Sequence, residues 1–447
     1  MKKFDLIVIG SGSGMKIVWS AVNDGLNVAL VEGGPLGGTC LNNGCIPSKI
    51  MIYPADVISA ANDAKKLGID LPVNRVDPGR IMGRVRAIID RERRQSAEEI
   101  KSAKNLTWLM GMGEFVGDYT LKVDVETITA PKIVIATGAR TGIPPIDGIE
   151  KTGYLDNVSL MDLKKLPESI TIIGAGYIGC EFGHFFSALG TRVTLIGRHP
   201  RMLMREDPEI SAVVTNVLSR DLRYMPDSTA MKAERRGNKK VVYTKNLKTG
   251  RCSNADVLKP EKTGVETDRR GWIKVNKYME TGKPGIYALG DATDRYMFKH
   301  TANYEADIVS DNLLRGKRRE NDTHAVPHAV YTHPQVGSVG MTEAEALKAG
   351  YKILVGRARY IDSAKGYAMG EEEGLVKVIV EEETNKILGC SVAGPDSPLI
   401  AQQVVFLMNT DTRDLTPFWR SQVIHPILTE VLANALANLE RPEMVLA

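Results

Sequence analysis

Two of the chain's cysteines stand close together in a glycine-rich stretch. The segment from Gly37 to Lys49 reads GGTCLNNGCIPSK and places Cys40 and Cys45 five positions apart, although the whole chain of 447 residues has five cysteines. A disulfide needs Cα atoms about 4.4–6.8 Å apart, whereas five steps of regular helix rise about 7.5 Å. Both cysteines therefore cannot lie in regular helix, and Gly44 is placed to bend the chain between them.

The residues that follow the second cysteine favour thiol chemistry. The sequence CIPSK has the pattern of a helix start, because proline is tolerated in the first turn. Cys45 would then lie near a helix N-terminus, where the partial positive charge favours the thiolate. No second cysteine pair stands at zinc-ligand spacing. We interpret the two residues as a redox-active pair, and the alternative is two thiols of the core.

The elements before this pair predict a dinucleotide site. An apolar run at 4–9 is followed by a glycine-rich turn, a helix expected at 15–23, and a second strand that ends at Glu32. Such a β-α-β unit lets the backbone of the turn approach a pyrophosphate. Met15 stands where the third glycine of the fingerprint is expected, but that position mainly permits close packing of helix on strand. The glycines of the turn are Gly10, Gly12 and Gly14.

A second β-α-β unit begins at Ile170. Its sequence, ITIIGAGYIGCEFGHFFSALGTRVTLIGR, again reads strand, glycine-rich turn, helix and strand. Two units of this kind predict two dinucleotide folds, and the alternative is a pair of purely structural turns. The glycines of the second fingerprint are Gly174, Gly176 and Gly179.

The ends of the two second strands differ in charge. Glu32 suits an adenosine ribose without a 2′-phosphate, as in FAD or NAD, because a carboxylate accepts hydrogen bonds from ribose hydroxyls. The second unit has Gly197 at this place, followed by cations that suit a 2′-phosphate. This predicts NADPH at the second site in preference to NADH, unless the cations are a solvated loop. The cationic residues are Arg198, His199 and Arg201.

Composition limits the kinds of partner. The net charge is +4, which does not indicate nucleic acid or a membrane surface as a partner. No apolar run approaches a membrane span, and the start of the chain lacks the apolar stretch of a signal peptide. Arginines at 80–94 fall on a helical pattern that we interpret as a solvated face. With few cysteines, the expected setting is cytoplasmic.

The last part of the chain, from about 323, predicts an α+β domain. Short β-branched runs alternate there with helices, and Thr342 and Glu345 form a capping box.

Four motifs in order now identify a resemblance. The cysteine segment, IVIATGAR at 133–140, GIYALGDA at 285–292 and HPILTE at 425–430 resemble those of the class I pyridine nucleotide-disulfide oxidoreductases. This family includes dihydrolipoamide dehydrogenase, mercuric reductase, glutathione reductase and mycothione reductase. The resemblance covers nearly the whole chain and implies electron flow between a nicotinamide, FAD, a cysteine pair and a substrate.

The resemblance implies roles for particular side chains. Cys45 would lie against the flavin, and Cys40 would be the thiol that attacks the substrate disulfide. His425 would move its proton, and Glu430 would orient the imidazole. In the family these two residues come from the partner subunit, which implies a homodimer with a shared active site. The resemblance also implies a pair near the flavin, Lys49 with Glu181.

The cofactor residues implied for FAD lie in four of these segments. Asp291 would bind the ribityl chain. The others are Gly10, Gly12, Gly14, Glu32, Gly38, Thr39, Lys49, Ala136, Thr137 and Gly138.

The expected architecture is α/β: two Rossmann-like dinucleotide-binding domains, for FAD and NAD(P), and a C-terminal α+β dimerisation domain. We place the FAD domain at 1–150 and 275–322, the NAD(P) domain at 151–274 and the dimerisation domain at 323–447. The NAD(P) domain is shorter than the family pattern by a strand and its loop.

The predicted activity is an FAD-dependent NAD(P)H disulfide oxidoreductase, most like dihydrolipoamide dehydrogenase. Its partner would be a small thiol or disulfide, or a lipoyl domain. An alternative is NADPH-dependent reduction of mercuric ion or of a low-molecular-weight disulfide. An alternative of another class is a catalytically weak flavoprotein that serves as a binding or assembly subunit.

Overall fold

The computed structural model describes residues 1–237, 239–245 and 251–442. Its strands are β1 (Lys2–Lys3), β2 (Leu6–Ile9), β3 (Val28–Glu32), β4 (Leu106–Met110), β5 (Gly113–Gly117), β6 (Thr120–Val123), β7 (Glu126–Thr129), β8 (Lys132–Ile135), β9 (Ala139–Thr141), β10 (Ser169–Ile173), β11 (Arg192–Ile196), β12 (Arg223–Met225), β13 (Thr229–Arg236), β14 (Lys239–Lys245), β15 (Arg251–Ser253), β16 (Ile286–Ala288), β17 (Pro327–Val330), β18 (Val336–Gly340), β19 (Ile353–Arg359), β20 (Leu375–Glu381), β21 (Ile387–Ala393) and β22 (Leu439–Glu440). Its helices are α1 (Gly14–Asn23), α2 (Gly38–Asn43), α3 (Cys45–Asp63), α4 (Pro78–Ser102), α5 (Ile149–Thr152), α6 (Tyr177–Ala188), α7 (Pro208–Asp221), α8 (Ala255–Leu258), α9 (Lys299–Arg315), α10 (Glu343–Lys348), α11 (Ala364–Met369), α12 (Ser397–Met408), α13 (Thr416–Trp419) and α14 (Thr429–Ala437).

A parallel sheet of five strands, in the order β16-β8-β2-β3-β4, forms the first unit. Its central strand β2 is buried along its whole length, as expected for a strand covered on both faces. Helices α1 and α9 pack on one face, and a sheet of β1, β7, β6 and β5 lies near the other. This confirms the first predicted β-α-β unit, with the carboxyl ends of its strands at one edge.

The second β-α-β unit is a small parallel sheet. Strands β10, β11 and β12 pair in that order, and an antiparallel hairpin of β13 and β14 follows. The described part of this parallel sheet therefore has three strands. The segment at 251–268, where the sequence departs from the family pattern, is described, whereas residues 246–250 before it lie outside the described residues.

The predicted boundary at 274 differs from the packing. Strand β15 pairs with β9 of the first unit. Four apolar side chains after it enter the core beside β2 and β5, because burial there removes them from water. Residues 251–274 thus pack with the first unit rather than with the nucleotide unit. The four side chains are Ala255, Leu258, Val265 and Ile273.

The C-terminal unit is a six-stranded sheet in the order β17-β18-β21-β20-β19-β22. Its described strands pair antiparallel, and α12 and α14 pack against the sheet. The capping box of Thr342 and Glu345 is formed at the start of α10. This confirms the α+β prediction for the end of the chain.

Along α4, the arginine face is largely solvated as interpreted from the sequence. Arg80, Arg84 and Arg86 are exposed, but Arg93 Nε donates to Asn42 Oδ1 at 2.6 Å and so braces the cysteine segment. None of the helices found in the described residues is long and apolar enough to cross a membrane.

A buried ion cluster joins the nucleotide unit to the C-terminal sheet. The Nζ atom of Lys377, on β20, lies 2.9 Å from Asp207, 2.7 Å from Glu209 and 2.7 Å from Glu343. Its side chain is 3% exposed, so the cation is removed from water and depends on these carboxylates. Arg357 adds a second cation through Glu209 and Glu343.

Substitution Lys377→Met should lower the free energy of unfolding by about 3–5 kcal/mol, because it leaves the buried carboxylate of Asp207 without its cation. The matched control is Lys352→Met, since Lys352 pairs with Glu383 on the exposed surface and should contribute little. Urea unfolding followed by circular dichroism would measure both. Equal midpoints for the two variants would contradict the assignment of Lys377 as a buried clamp.

Candidate redox and nucleotide sites

The chain bends between the two cysteines. Helix α2 ends at Asn43, and α3 begins at Cys45. A Cβ at Gly44 would lie 2.7 Å from the carbonyl oxygen of Thr39, so a glycine is required at the bend. Cys40 therefore lies on one helix and Cys45 at the N-terminus of the next.

The two thiols form a hydrogen-bonded pair of unequal acidity. The hydrogen bond from Cys40 lowers the pKa of Cys45 to about 6; burial opposes the shift, and Lys49, the Cys45 N–H and Lys299 add to it. The same hydrogen bond, burial and the charge of Cys45 raise the pKa of Cys40. The reduced pair is thus a thiolate at Cys45 and a thiol at Cys40.

One ion pair joins the redox helix to the nucleotide unit. Lys49 Nζ lies 2.8 and 2.7 Å from the two carboxylate oxygens of Glu181, on α6. The backbone N–H of Tyr331 donates to the same carboxylate at 3.0 Å, and the ammonium lies 4.7 Å from the tyrosine ring. The structure therefore brings together the two residues that the resemblance paired, beside Cys45.

Lys299 is a residue of this site that sequence reasoning missed. It is the first residue of α9, a position that the helix dipole makes unfavourable for a cation. Its Nζ donates to Ser13 Oγ at 3.1 Å, in the glycine-rich turn, and its charge acts on both cysteines. Burial lowers the pKa of Lys299, and the sulfurs oppose that shift. The signal in the sequence that could have identified Lys299 as a site residue is its unusual position at the start of a helix.

The first glycine-rich turn has the shape of a pyrophosphate cradle. Gly10 has φ +105°, and a Cβ there would lie 2.3 Å from the oxygen of Ala136. A Cβ on Gly38 would lie 2.8 Å from the Cα of Gly12, so α2 closes over the turn. Gly14 begins α1, and a Cβ there would lie 3.0 Å from Val8 and 3.1 Å from Ala136. Gly14 thus permits the close packing of helix on strand that was expected to need a glycine at the position of Met15.

Other FAD residues implied by the resemblance lie at the same edge. Glu32 accepts from Ser11 N at 2.8 Å and from Ser11 Oγ at 2.6 Å, which holds its carboxylate at the turn. The segment Ala136–Gly138 follows β8, and Thr137 Oγ1 is buried without a hydrogen-bond partner among the described residues. Asp291 follows the neighbouring strand β16. A cradle without side chains and an unsatisfied hydroxyl fit a bound FAD, whereas Thr39 is exposed on α2.

The second fingerprint lines a cavity of about 340 Å³. Gly174 and Gly176 form one wall, and Gly179 lets α6 approach, because a Cβ there would lie 1.8 Å from the oxygen of Gly174. The predicted cations also line this cavity: Arg198, His199 and Arg201.

The histidine–glutamate pair is formed but stands apart from the cysteines. His425 Nδ1 lies 2.6 Å from Glu430 Oε1, and Ile427 N donates to Glu430 Oε2 at 3.0 Å. The hydrogen bonds from His425 and Ile427 lower the pKa of Glu430. The imidazole is 70% exposed, and no hydrogen bond found in the described residues joins it to Cys40 or Cys45.

Comparison with known proteins identifies relatives of this arrangement. Residues 4–306 match the family described as pyridine nucleotide-disulphide oxidoreductase, and residues 326–436 match its dimerisation domain. Mycothione reductase from Mycobacterium tuberculosis is 34% identical over 461 residues, which cover 98% of this chain and 100% of that protein. Dihydrolipoyl dehydrogenase from Chlamydia muridarum is 30% identical, with 98% and 97% covered.

A mercuric reductase and a flavoprotein disulfide reductase are also similar to this chain. Mercuric reductase from Lysinibacillus sphaericus is 31% identical, with 98% of this chain and 82% of that protein covered. The solved Cu(II) complex of the HOCl-induced flavoprotein disulfide reductase RclA from Escherichia coli superposes with a TM-score of 0.87 at 28% identity. It covers 98% of this chain and 99% of that chain.

Substitution Lys299→Gln should raise the pKa of Cys45 above its value of about 6 by roughly half a unit to one unit, because a nearby cation is lost. Alkylation of the reduced protein by iodoacetamide should become about two- to fivefold slower at pH 6, with equal rates above pH 9. The modified residue is located by mass spectrometry. Lys299→Arg keeps the charge and serves as the control; a glutamine variant with the parental pH profile would contradict the assignment.

Proposed function

We propose that this chain, which belongs to the pyridine nucleotide-disulphide oxidoreductase family, uses NADPH to reduce a low-molecular-weight disulfide through Cys40 and Cys45. Members of the family are flavin-dependent disulfide oxidoreductases that act on sulfur groups, and this chain is one of them. The proposal concerns the nucleotide, the substrate and the part that each residue plays.

The observation that carries the proposal is the thiol–thiolate pair at the bend. A low pKa at Cys45 keeps that sulfur ionised at neutral pH, while Cys40 keeps a proton until a base removes it. Bound FAD would supply the transfer of two electrons from the nicotinamide to the cysteine disulfide. The Lys49 cation, fixed by Glu181, stabilises the charge that develops beside the sulfurs.

The exchange with substrate balances in two steps. The sulfur of Cys40 attacks one sulfur of the substrate disulfide, which forms a mixed disulfide and releases the first substrate thiol after protonation. The thiolate of Cys45 then attacks the sulfur of Cys40, which breaks the mixed disulfide, releases the second substrate thiol and restores the Cys40–Cys45 disulfide. NADPH and one proton supply the two electrons and two protons that the substrate gains.

The proton steps need a base at Cys40, and no hydrogen bond found in the described part of one chain joins Cys40 to His425. His425 is exposed and oriented by Glu430, as a proton-transferring imidazole must be. The matched dimerisation domain supports a homodimer. We infer that His425 of the partner subunit removes the proton of Cys40 and returns it to the leaving thiol.

The second site favours NADPH because the strand end lacks a carboxylate. A Cβ on Gly197 would lie 2.4 Å from the hydroxyl of Tyr224, so no acidic side chain fits there without rearrangement. Arg198 and Arg201 line the cavity instead, and guanidinium groups bind phosphate in a bidentate manner.

Dihydrolipoyl groups are the second candidate substrate, in a lipoyl domain or free. The cysteine segment and the dihydrolipoyl dehydrogenase relative favour them, whereas Gly197 and the mycothione reductase relative favour the reductase. Turnover with NADPH and NADH against lipoamide, several small disulfides and mercuric ion would decide among these substrates. Absence of flavin reduction by either nucleotide would favour an assembly subunit.

Two inactive variants should restore activity when mixed, if the active site is shared. Cys40→Ser and His425→Ala should each lower disulfide turnover by at least about a hundredfold, because one lacks the attacking sulfur and the other its base. A heterodimer of the two has one complete site, so dissociation and reassociation of an equal mixture should recover about a quarter of the parental activity. A mixture that stays inactive would place the base within the same chain. Mixing either variant with itself is the control.

Substitution Arg198→Ala should raise KM for NADPH by about tenfold or more, because a charge-assisted hydrogen bond to phosphate is lost. KM for NADH should stay unchanged. Arg192→Ala removes an exposed arginine from β11, outside the residues that line the cavity, and is the control. Parallel increases for both nucleotides would show that Arg198 does not read the 2′-phosphate.

A further inference from the structure

A loop between β11 and α7 carries the cations of the nucleotide cavity. It begins at Gly197, and six of its residues at 198–205 line the cavity: Arg198, His199, Arg201, Leu203, Met204 and Arg205. Its backbone is tied to the fingerprint turn, because Leu203 N donates to the oxygen of Ala175 at 2.9 Å. Its far end is Glu206, whose backbone N–H donates to Leu203 O at 2.8 Å. The position of this loop therefore sets the shape of the cavity.

The carboxylate of Glu206 is buried and takes hydrogen bonds from two units. His328 Nε2, on β17, lies 2.8 Å from Oε1, and Ser338 Oγ, on β18, donates to Oε2 at 2.7 Å. Tyr177 also acts on this carboxylate and helps to lower its pKa. The Glu206 side chain is 1% exposed, so each of these bonds replaces a contact with water.

Tyr177 belongs to the lining of the same cavity. It follows Gly176 directly, at the first position of α6, and lines the cavity with the fingerprint glycines. Its ring stacks on His328 with centroids 5.7 Å apart, and His328 stacks on Phe298 at 5.6 Å. Glu206 and His328 thus contact both the phosphate-binding turn and the end of the cationic loop.

The charge state of the cluster suits a fixed clamp. Burial raises the pKa of Glu206, but the hydrogen bonds from His328, Ser338 and Tyr177 outweigh it and leave that pKa below its usual value. The carboxylate therefore stays ionised at neutral pH and remains an acceptor for His328 and Ser338.

We propose that Glu206 is a positioning residue for nucleotide binding, held by His328 and Ser338 of the C-terminal sheet. It keeps the two walls of the cavity, Tyr177 and the loop at 198–205, at a fixed separation before the nucleotide arrives. Preorganised walls bind more tightly because less conformational freedom is lost on binding. This inference rests on the proposed function of the cavity as the NADPH site.

Binding of NADP⁺ to the oxidised holoenzyme, measured by isothermal titration calorimetry, tests the role directly, since NADP⁺ cannot reduce the protein. Glu206→Gln should raise the dissociation constant at least fivefold, because its amide replaces one of the two accepting oxygens with an NH2 group that cannot accept a hydrogen bond. Reduction by dithiothreitol, which bypasses the nucleotide, should stay within twofold of the parental rate. In turnover, KM for NADPH should rise more than kcat falls.

Glu373→Gln is the matched control. Glu373 pairs with Arg220 at the other end of α7 and so joins the same two units away from the cavity. Its substitution should leave the dissociation constant of NADP⁺ within twofold of the parental value. If Glu373→Gln and Glu206→Gln raised the dissociation constant of NADP⁺ equally, Glu206 would be only a general contact between units, and the proposal would be overturned.

A pair of variants at His328 keeps the test valid if Glu206→Gln does not fold. His328→Gln retains an N–H donor for Glu206, whereas His328→Ala removes it. The alanine variant should bind NADP⁺ at least fivefold more weakly, and the glutamine variant should recover much of that loss. Parental affinity in the alanine variant would overturn the inference. A parental protein that binds neither NADP⁺ nor NADPH would instead overturn the proposed function.

Discussion

The bend at Gly44 is the constraint on which the reactive site depends. A continuous helix would carry the two cysteines about 7.5 Å apart along its axis, and the thiols could not share a hydrogen bond or a disulfide. At the bend, α2 ends and α3 begins within one residue. Cys45 therefore lies at a helix N-terminus and beside the thiol of Cys40. Two ordinary thiols thereby become an ionised sulfur and its proton-bearing partner.

The helix that begins at this bend is held along its length by the other two units. Side-chain pairs with the other units occur along α3 at intervals of seven residues, which places them on one face of the helix. Two reach α6 of the nucleotide unit, and the third reaches the segment before β18. The rings of the two histidines involved stack at 6.2 Å. The three pairs are Lys49–Glu181, Asp56–His184 and Asp63–His333.

Neighbouring carboxylates organise the nucleotide side in a comparable way. Glu206, Asp207 and Glu209 are close in sequence, yet their partners come from β17, β18, β19 and β20 of the C-terminal sheet. A unit with three parallel strands in its described part thus gains rigidity from a neighbouring sheet. The pair of His425 and Glu430 differs from these carboxylates, because its hydrogen bond is formed but its imidazole is exposed to solvent.

Local pattern alone determined the two glycine-rich turns, the strands buried on both faces, the cysteine bend and the capping box, because each follows from steric needs or periodicity within a few neighbours. Lys299 and Glu206 were not accessible in this way. Lys299 matters because it contacts Ser13 and acts on Cys45, which are 286 and 254 positions away in the sequence. Glu206 matters because it contacts His328 and Ser338, which are 122 and 132 positions away. The same reason explains the misplaced boundary at 274, since the side chains at 255–273 resemble any apolar segment until the sheet that buries them is known. Sequence determined which residues could do chemistry; tertiary packing decided which charges meet, because electrostatic and burial energies depend on distance in space.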